Sequence, residues 1–236
     1  MGAVVFAAIV VAWRRGTLVR VRFFALSHLS DRAWSLPGLA SRMETSWNRR
    51  VETFASQDVE PGDVVMVGDS ITEGGDWPAL LPGVRVHNQG IGGDDTDGVL
   101  RRVDLFADRR PAKVFLMIGT NDIGKGGNST DVIVANVARI VERIRAASPG
   151  TEVYVQSVLP RIPRRREQVT SVNRGIGVCA RERGATWIDL VPVFDRGDGQ
   201  LRPELTLDSL HLNADGYRRW AEVLAPYLAG SRAAST

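Results

Sequence analysis

Val64-Val65-Met66-Val67-Gly68-Asp69-Ser70 carries four consecutive apolar residues into a Gly-Asp-Ser turn. A short apolar run bounded by turn residues reads as a strand buried on both faces, the kind found in parallel sheets. A hydroxyl at the end of such a strand is held rigidly while its oxygen faces a crevice, so Ser70 stands where a nucleophile belongs. Working outward from this strand, further strand candidates fall at Arg85–His87, Lys113–Ile118, Glu152–Val158 and Thr186–Leu190. Helical patterns separate them. In Val132–Ala147, for example, Val134, Val137, Ile140, Val141 and Ile144 recur at three-and-four spacing. Strands alternating with helices imply right-handed crossovers and a parallel sheet covered on both faces, an α/β fold. A final helix is expected over Ala214–Leu228, entered by Asn213 as its cap. Met43–Phe54 reads as an earlier helix packing Trp47, Val51 and Phe54 on one side, a structural element rather than a catalytic one.

Three further clusters follow in order: Gly90-Ile91-Gly92-Gly93-Asp94, Gly119-Thr120-Asn121-Asp122 and Asp208-Ser209-Leu210-His211. A serine hydroxyl is a weak nucleophile at neutral pH and needs a positioned base. His211 suits that role, since an unperturbed imidazole titrates near ~6.5. Asp208, three residues earlier, can reach the far ring nitrogen across a helical turn or a tight loop and hold the tautomer. Oxyanion donors are also at hand: the unobstructed N–H of Gly93, the side-chain amide of Asn121 and the N–H of Ser70 itself. Each cluster alone has an ordinary structural reading, as a turn, a strand-to-helix glycine bend, a helix cap at Asn121-Asp122 or a satisfied histidine beside a cap. Together and in this order they supply every part of a serine esterase.

These four blocks resemble those of the SGNH (GDSL-type) hydrolases, with the match spanning roughly residues 45–228. The resemblance implies a three-layer, flavodoxin-like fold with a five-stranded parallel sheet and helices on both faces. It makes Ser70 the nucleophile, Asp208 and His211 the rest of the triad, and Ser70, Gly93 and Asn121 the oxyanion hole. Asn88-Gln89 before the glycine block, Leu159-Pro160-Arg161, and Leu210-His211-Leu212-Asn213 with Gly216-Tyr217 are most similar to the branch containing platelet-activating-factor acetylhydrolase catalytic subunits and many bacterial acylesterases. One mild departure is Ile71, where the family's nickname has leucine. The resemblance implies short acyl groups, acetyl above all, on a small-molecule ester whose alcohol is a sugar or a lysophospholipid. A homodimer is implied by the resemblance alone. No cofactor and no metal are required.

Other chemistries fit less well. The glycines of 68–75 lack the Lys-Ser or Lys-Thr that a phosphate-cradling loop needs, and Gly90–Gly93 does not complete the dinucleotide fingerprint. Thr72 replaces the second glycine of the Gly-x-Ser-x-Gly elbow. Asp69, Asp94, Asp95 and Asp122 lack a second histidine or cysteine at ligand spacing. The competing readings are therefore a lipase-like lysophospholipase at a membrane surface, a metal-dependent phosphoesterase, and a non-catalytic binding domain on the same fold.

With 236 residues, 44% of them hydrophobic, the chain is long enough for one substantial core. It divides into an apolar and basic extension (1–40), a catalytic domain (41–230) and a short tail (231–236). Residues 1–50 carry eight arginines against Asp31 and Glu44, a net +6 in a chain whose total is +3, which leaves −3 for the remainder. Nucleic acid is therefore not an expected partner of the catalytic domain, and Arg161 with Arg164–Arg166 reads as a solvated basic loop. Ala3–Trp13 is continuously apolar yet shorter than the roughly 20 residues that cross a bilayer, and it lacks the basic start and cleavage site of a signal peptide. Val19, Val21, Phe23 and Phe24 among four arginines fit peripheral membrane contact. Cys179, the single cysteine, reads as a buried thiol. The compartment stays open: the cytoplasm is favoured, with membrane association through residues 1–25 as the alternative.

Overall fold

A computed structural model describes residues 39–125, 127–228 and 230. The membrane-contact reading of residues 1–25 and the tail at 231–236 lie outside the described residues. The chain enters through helix α1 (Leu39–Ala55), followed by β1 (Val64–Gly68), short helices α2 (Ser70–Glu73) and α3 (Trp77–Leu80), and β2 (Val86–Gly90). Next come α4 (Thr96–Arg102), α5 (Asp104–Ala107), β3 (Lys113–Met117), α6 (Thr120–Lys125), α7 (Thr130–Ala147) and β4 (Glu152–Gln156). Helix α8 (Arg166–Glu182), β5 (Thr186–Ile188), α9 (Val191–Phe194) and α10 (Ala214–Leu224) complete it.

The strands pair in parallel in the order β2-β1-β3-β4-β5, the flavodoxin-like arrangement. The connection from β1 leads to β2 on one side and the connection from β3 leads to β4 on the other, so the crevice of such a sheet opens at the carboxyl ends of β1 and β3. Alternate residues of each strand feed two cores. Val65 and Val67 of β1 pack with Val137, Ile140 and Ile144 of α7 and Ile176 of α8. Val64 and Met66 face Trp77, Phe194, Trp220 and Leu224 of α3, α9 and α10. Burial on both faces is why β1 reads as an uninterrupted apolar run rather than an alternating one.

Several boundaries differ from the sequence pattern, for identifiable reasons. Strand β2 runs past His87 to Gly90 because the side-chain amide N–H groups of Asn88 and Gln89 find partners where they stand. Asn88 Nδ2 donates to the carbonyls of Thr72, Glu73 and Gly75 at 3.0–3.1 Å, and Gln89 Nε2 donates to Gln57 Oε1. The last helix stops at Leu224 and tightens into a 3₁₀ turn over Ala225–Tyr227. Pro226 has no N–H with which to continue the α-helical ladder. Asn213 caps α10, accepting from the Gly216 N–H at 2.9 Å. Helix α1 starts at Leu39, ahead of Met43.

Candidate active site

Ser70 is the first residue of α2, directly after β1. The turn is tight: an added Cβ at Gly68 would strike the Thr72 side chain and the Met117 carbonyl, so only glycine fits between β1 and its neighbours. Asp69 caps α2 by accepting from the Ile71 N–H at 2.9 Å. It is fully buried, and burial pushes its carboxyl up to about 7, opposed by that N–H and by His211.

His211 arrives from the loop before α10. Its Nε2 lies 3.0 Å from Ser70 Oγ, and its Nδ1 lies 2.8 Å from Asp208 Oδ2. The other Asp208 oxygen accepts the backbone N–H groups of Leu210 (3.0 Å) and His211 (2.6 Å). Burial alone would raise this carboxyl, but the hydrogen bonds from the His211 ring and backbone hold it well below the usual range. The His211 carbonyl in turn accepts from Thr206 Oγ1 at 2.7 Å and the Leu207 N–H at 2.9 Å, which fixes the loop. A proton on Nδ1, facing the carboxylate, leaves the Nε2 lone pair directed at the serine hydroxyl.

The glycine block ends β2 and bends at Gly93, where φ is +77°, a conformation that favours glycine. The Gly92 N–H donates to Glu73 Oε2 at 2.7 Å. Asn121 lies in α6, just past β3, and its Nδ2 donates to the carbonyl of Asp94 at 2.7 Å. Asp122 serves a structural end: its carboxylate accepts from Thr96 N (3.1 Å), Thr96 Oγ1 (2.6 Å) and Asn128 Nδ2 (2.8 Å), tying the asparagine block to the start of α4. Arg161 of the basic loop donates to the Thr120 carbonyl at 2.5 Å, so it braces α6, whereas Arg164 and Arg166 are exposed.

The sequence-predicted residues thus gather at the carboxyl edge of β1, β2 and β3. A separate cavity of about 320 Å³ opens beside α8 and edge strand β5, lined by Arg166, Val169, Asn173, Arg174, Trp187 and Asp189 among others; neither Ser70 nor His211 lines it. Among the described residues, no three His, Cys, Asp or Glu side chains converge as a metal-binding set. Sequence reasoning quoted Asp94 without giving it a role and took Trp47 as packing only. Trp47 Nε1 in fact donates to Asp94 Oδ1 at 3.1 Å, and Arg102 Nε donates to Asp94 Oδ2 at 2.9 Å.

A flavodoxin-like sheet with polar groups gathered at its carboxyl edge defines a class of α/β proteins whose function those groups set. Within that class the chain belongs to the GDSL-like lipase/acylhydrolase family, whose model matches residues 66–219. It is 30% identical over 174 residues to platelet-activating factor acetylhydrolase IB subunit alpha1 of Homo sapiens, covering 69% of this chain and 73% of that protein. The Bos taurus counterpart is 31% identical over 172 residues, covering 69% and 72%. Among solved structures, a GDSL-like lipase from Bacteroides thetaiotaomicron is similar with a TM-score of 0.67 and 25% identity, over 78% of this chain and 97% of that one.

Proposed function

We propose that this acylhydrolase cleaves short-chain carboxylic esters through a covalent acyl-serine intermediate. The observation that carries the reading is the unbroken relay from Ser70 Oγ through both ring nitrogens of His211 to Asp208, at 3.0 Å and 2.8 Å. Ser70 Oγ attacks the ester carbonyl while His211 Nε2 takes its proton, and the negative charge forming on the carbonyl oxygen falls to the N–H groups of Gly93 and Ser70 and the amide of Asn121. The tetrahedral species collapses as His211 returns the proton to the departing alcohol oxygen. Water, deprotonated by the same imidazole, then attacks the acyl-serine ester and releases the acid. Asp208 stays ionised throughout, stabilising the imidazolium, and its depressed pKa suits that task. Positioned proton transfer of this kind contributes about 10²- to 10⁴-fold in rate.

Acetyl is the proposed acyl group, on the strength of the acetylhydrolase relatives. The test is hydrolysis of p-nitrophenyl esters from acetate to palmitate by wild type and Ser70→Ala, with a chelator control. The expected result is fast, chelator-insensitive turnover of the short esters that disappears in a folded Ser70→Ala. Retained turnover in that variant excludes Ser70 as nucleophile, and dependence on chelator turns the reading toward a metal phosphoesterase.

A further inference from the structure

We propose that Asp94 and Trp47 are positioning residues, through which helix α1 sets the two oxyanion donors outside the Ser70 turn. This rests on the acylhydrolase reading above. Asp94 follows Gly93 in the chain, and its own carbonyl holds the Asn121 amide at 2.7 Å. Its N–H donates to the Ile91 carbonyl at 3.0 Å, closing the glycine turn. A displacement of Asp94 therefore moves both donors together.

Its carboxylate is the anchor. Oδ2 accepts from Arg102 Nε at 2.9 Å, and Oδ1 accepts from Trp47 Nε1 at 3.1 Å. Arg102 is fully buried and also donates through Nη2 to the Gly68 carbonyl at 3.2 Å, so the same guanidinium touches the strand end that leads to Ser70. Gly98 makes room: an added Cβ there would collide with Asp94 Oδ1.

Helix α1 grips the other flank of Gly93 as well. Arg50 donates to the Gly90 carbonyl at 2.9 Å and pairs with Glu73 Oε1 at 3.2 Å, while Glu73 Oε2 accepts the Gly92 N–H. The helix is seated by cation–π contacts from α4, Arg102 over the Phe54 ring at 5.5 Å and Arg101 over the Trp47 ring at 4.6 Å, while Arg50 of α1 itself lies over Phe54 at 4.7 Å. Helix α1 precedes the segment matched by the family model, so these contacts come from outside it. The physical need is plain. Glycine has the greatest intrinsic backbone freedom of any residue, while an oxyanion donor about 1 Å out of place costs on the order of 10²-fold in rate.

Trp47→Phe tests this, since it keeps an aromatic ring beside Arg101 while removing the indole N–H together with part of the bicyclic ring. The expected result is a loss of about tenfold in kcat on p-nitrophenyl acetate with KM held within about twofold. Inhibition by a trifluoromethyl ketone, which mimics the tetrahedral species, should weaken by the same factor as kcat/KM. Amide hydrogen exchange in residues 91–95 should quicken while that of β1 and β3 does not. Arg50→Gln provides the second variant, with the same signature expected. Unchanged kcat, an effect confined to KM or melting temperature, or unchanged exchange in 91–95 overturns the assignment. The exchange arm needs no turnover: an inactive wild type would sink the esterase reading, while quickened exchange would still support Asp94 and Trp47 as the brace.

Discussion

Ser209 is the residue on which the His211 loop turns. Its φ of +66° is uncommon outside glycine, and this conformation lets one carboxylate oxygen of Asp208 accept two backbone N–H groups while the other reaches the imidazole. The cost of the left-handed residue is offset by three hydrogen bonds to a charged group. Residue chemistry alone was enough to nominate Ser70, His211 and Asp208, because few side chains can act as nucleophile, base and orienting acid. Nothing local marks Asp94 in the same way: the Trp47 partner of its carboxylate lies 47 positions away in the chain, and its Arg102 partner is eight away on the next helix. Asn121 belongs to this scale too. On the proposed mechanism Asn121→Ala removes a donor to the developing oxyanion, so kcat should fall about 10²- to 10³-fold with KM little changed. Steady-state kinetics on p-nitrophenyl acetate checks it, and an effect confined to KM would remove Asn121 from the oxyanion hole.

At the scale of elements, helix and strand existence followed from periodicity and the strand order from the family resemblance, whereas element ends followed from hydrogen bonds that only neighbours in space provide. Strand β2 is the clearest case. Its polar residues end the apolar pattern early, yet Asn88 binds three carbonyls of the α2–α3 connection and accepts the Gly90 N–H at 2.9 Å. This one side chain clamps the turn after Ser70 to the strand that leads into the glycine block. Asn88→Ala removes the partner of the Glu73 and Gly75 carbonyls and of the Gly90 N–H and should destabilise the protein by about 1–3 kcal/mol, read as a lower denaturant midpoint with an unchanged m-value. Helix α10 shows the opposite dependence, since Pro226 ends it by covalent structure whatever surrounds it.

At the scale of the whole molecule, two cores sandwich the sheet and leave buried carboxylates near its carboxyl edge. Asp69 is the extreme case, with a folded pKa of about 7 caused by burial against an ordinary value of 3.8. Between those two values the folded protein holds a proton that the unfolded chain has lost, so this group makes stability fall as pH rises across the window. Asp208 has the opposite sign: its depressed carboxyl contributes stability that is present above the ordinary carboxylate range and lost as pH falls through its folded value. Comparison with Asp69→Asn isolates the first effect. The melting temperature of the variant relative to wild type should climb from pH 4 to pH 7 and level off above, and a flat difference would mean that Asp69 is ionised in the folded state throughout.

By itself the sequence determined the family and the parallel α/β architecture, and it nominated the residues proposed to carry acyl transfer. Hydrophobic periodicity is a local consequence of which face is buried, and reactive side chains are identified by their own chemistry. Only the tertiary structure decided how those side chains are held: the relay across 141 positions from Ser70 to His211, the α1 contacts behind Asp94, and the burial that displaces the Asp69 pKa. Those properties depend on distances between segments remote in the chain, and Coulombic and hydrogen-bond energies are set by separation in space rather than in sequence.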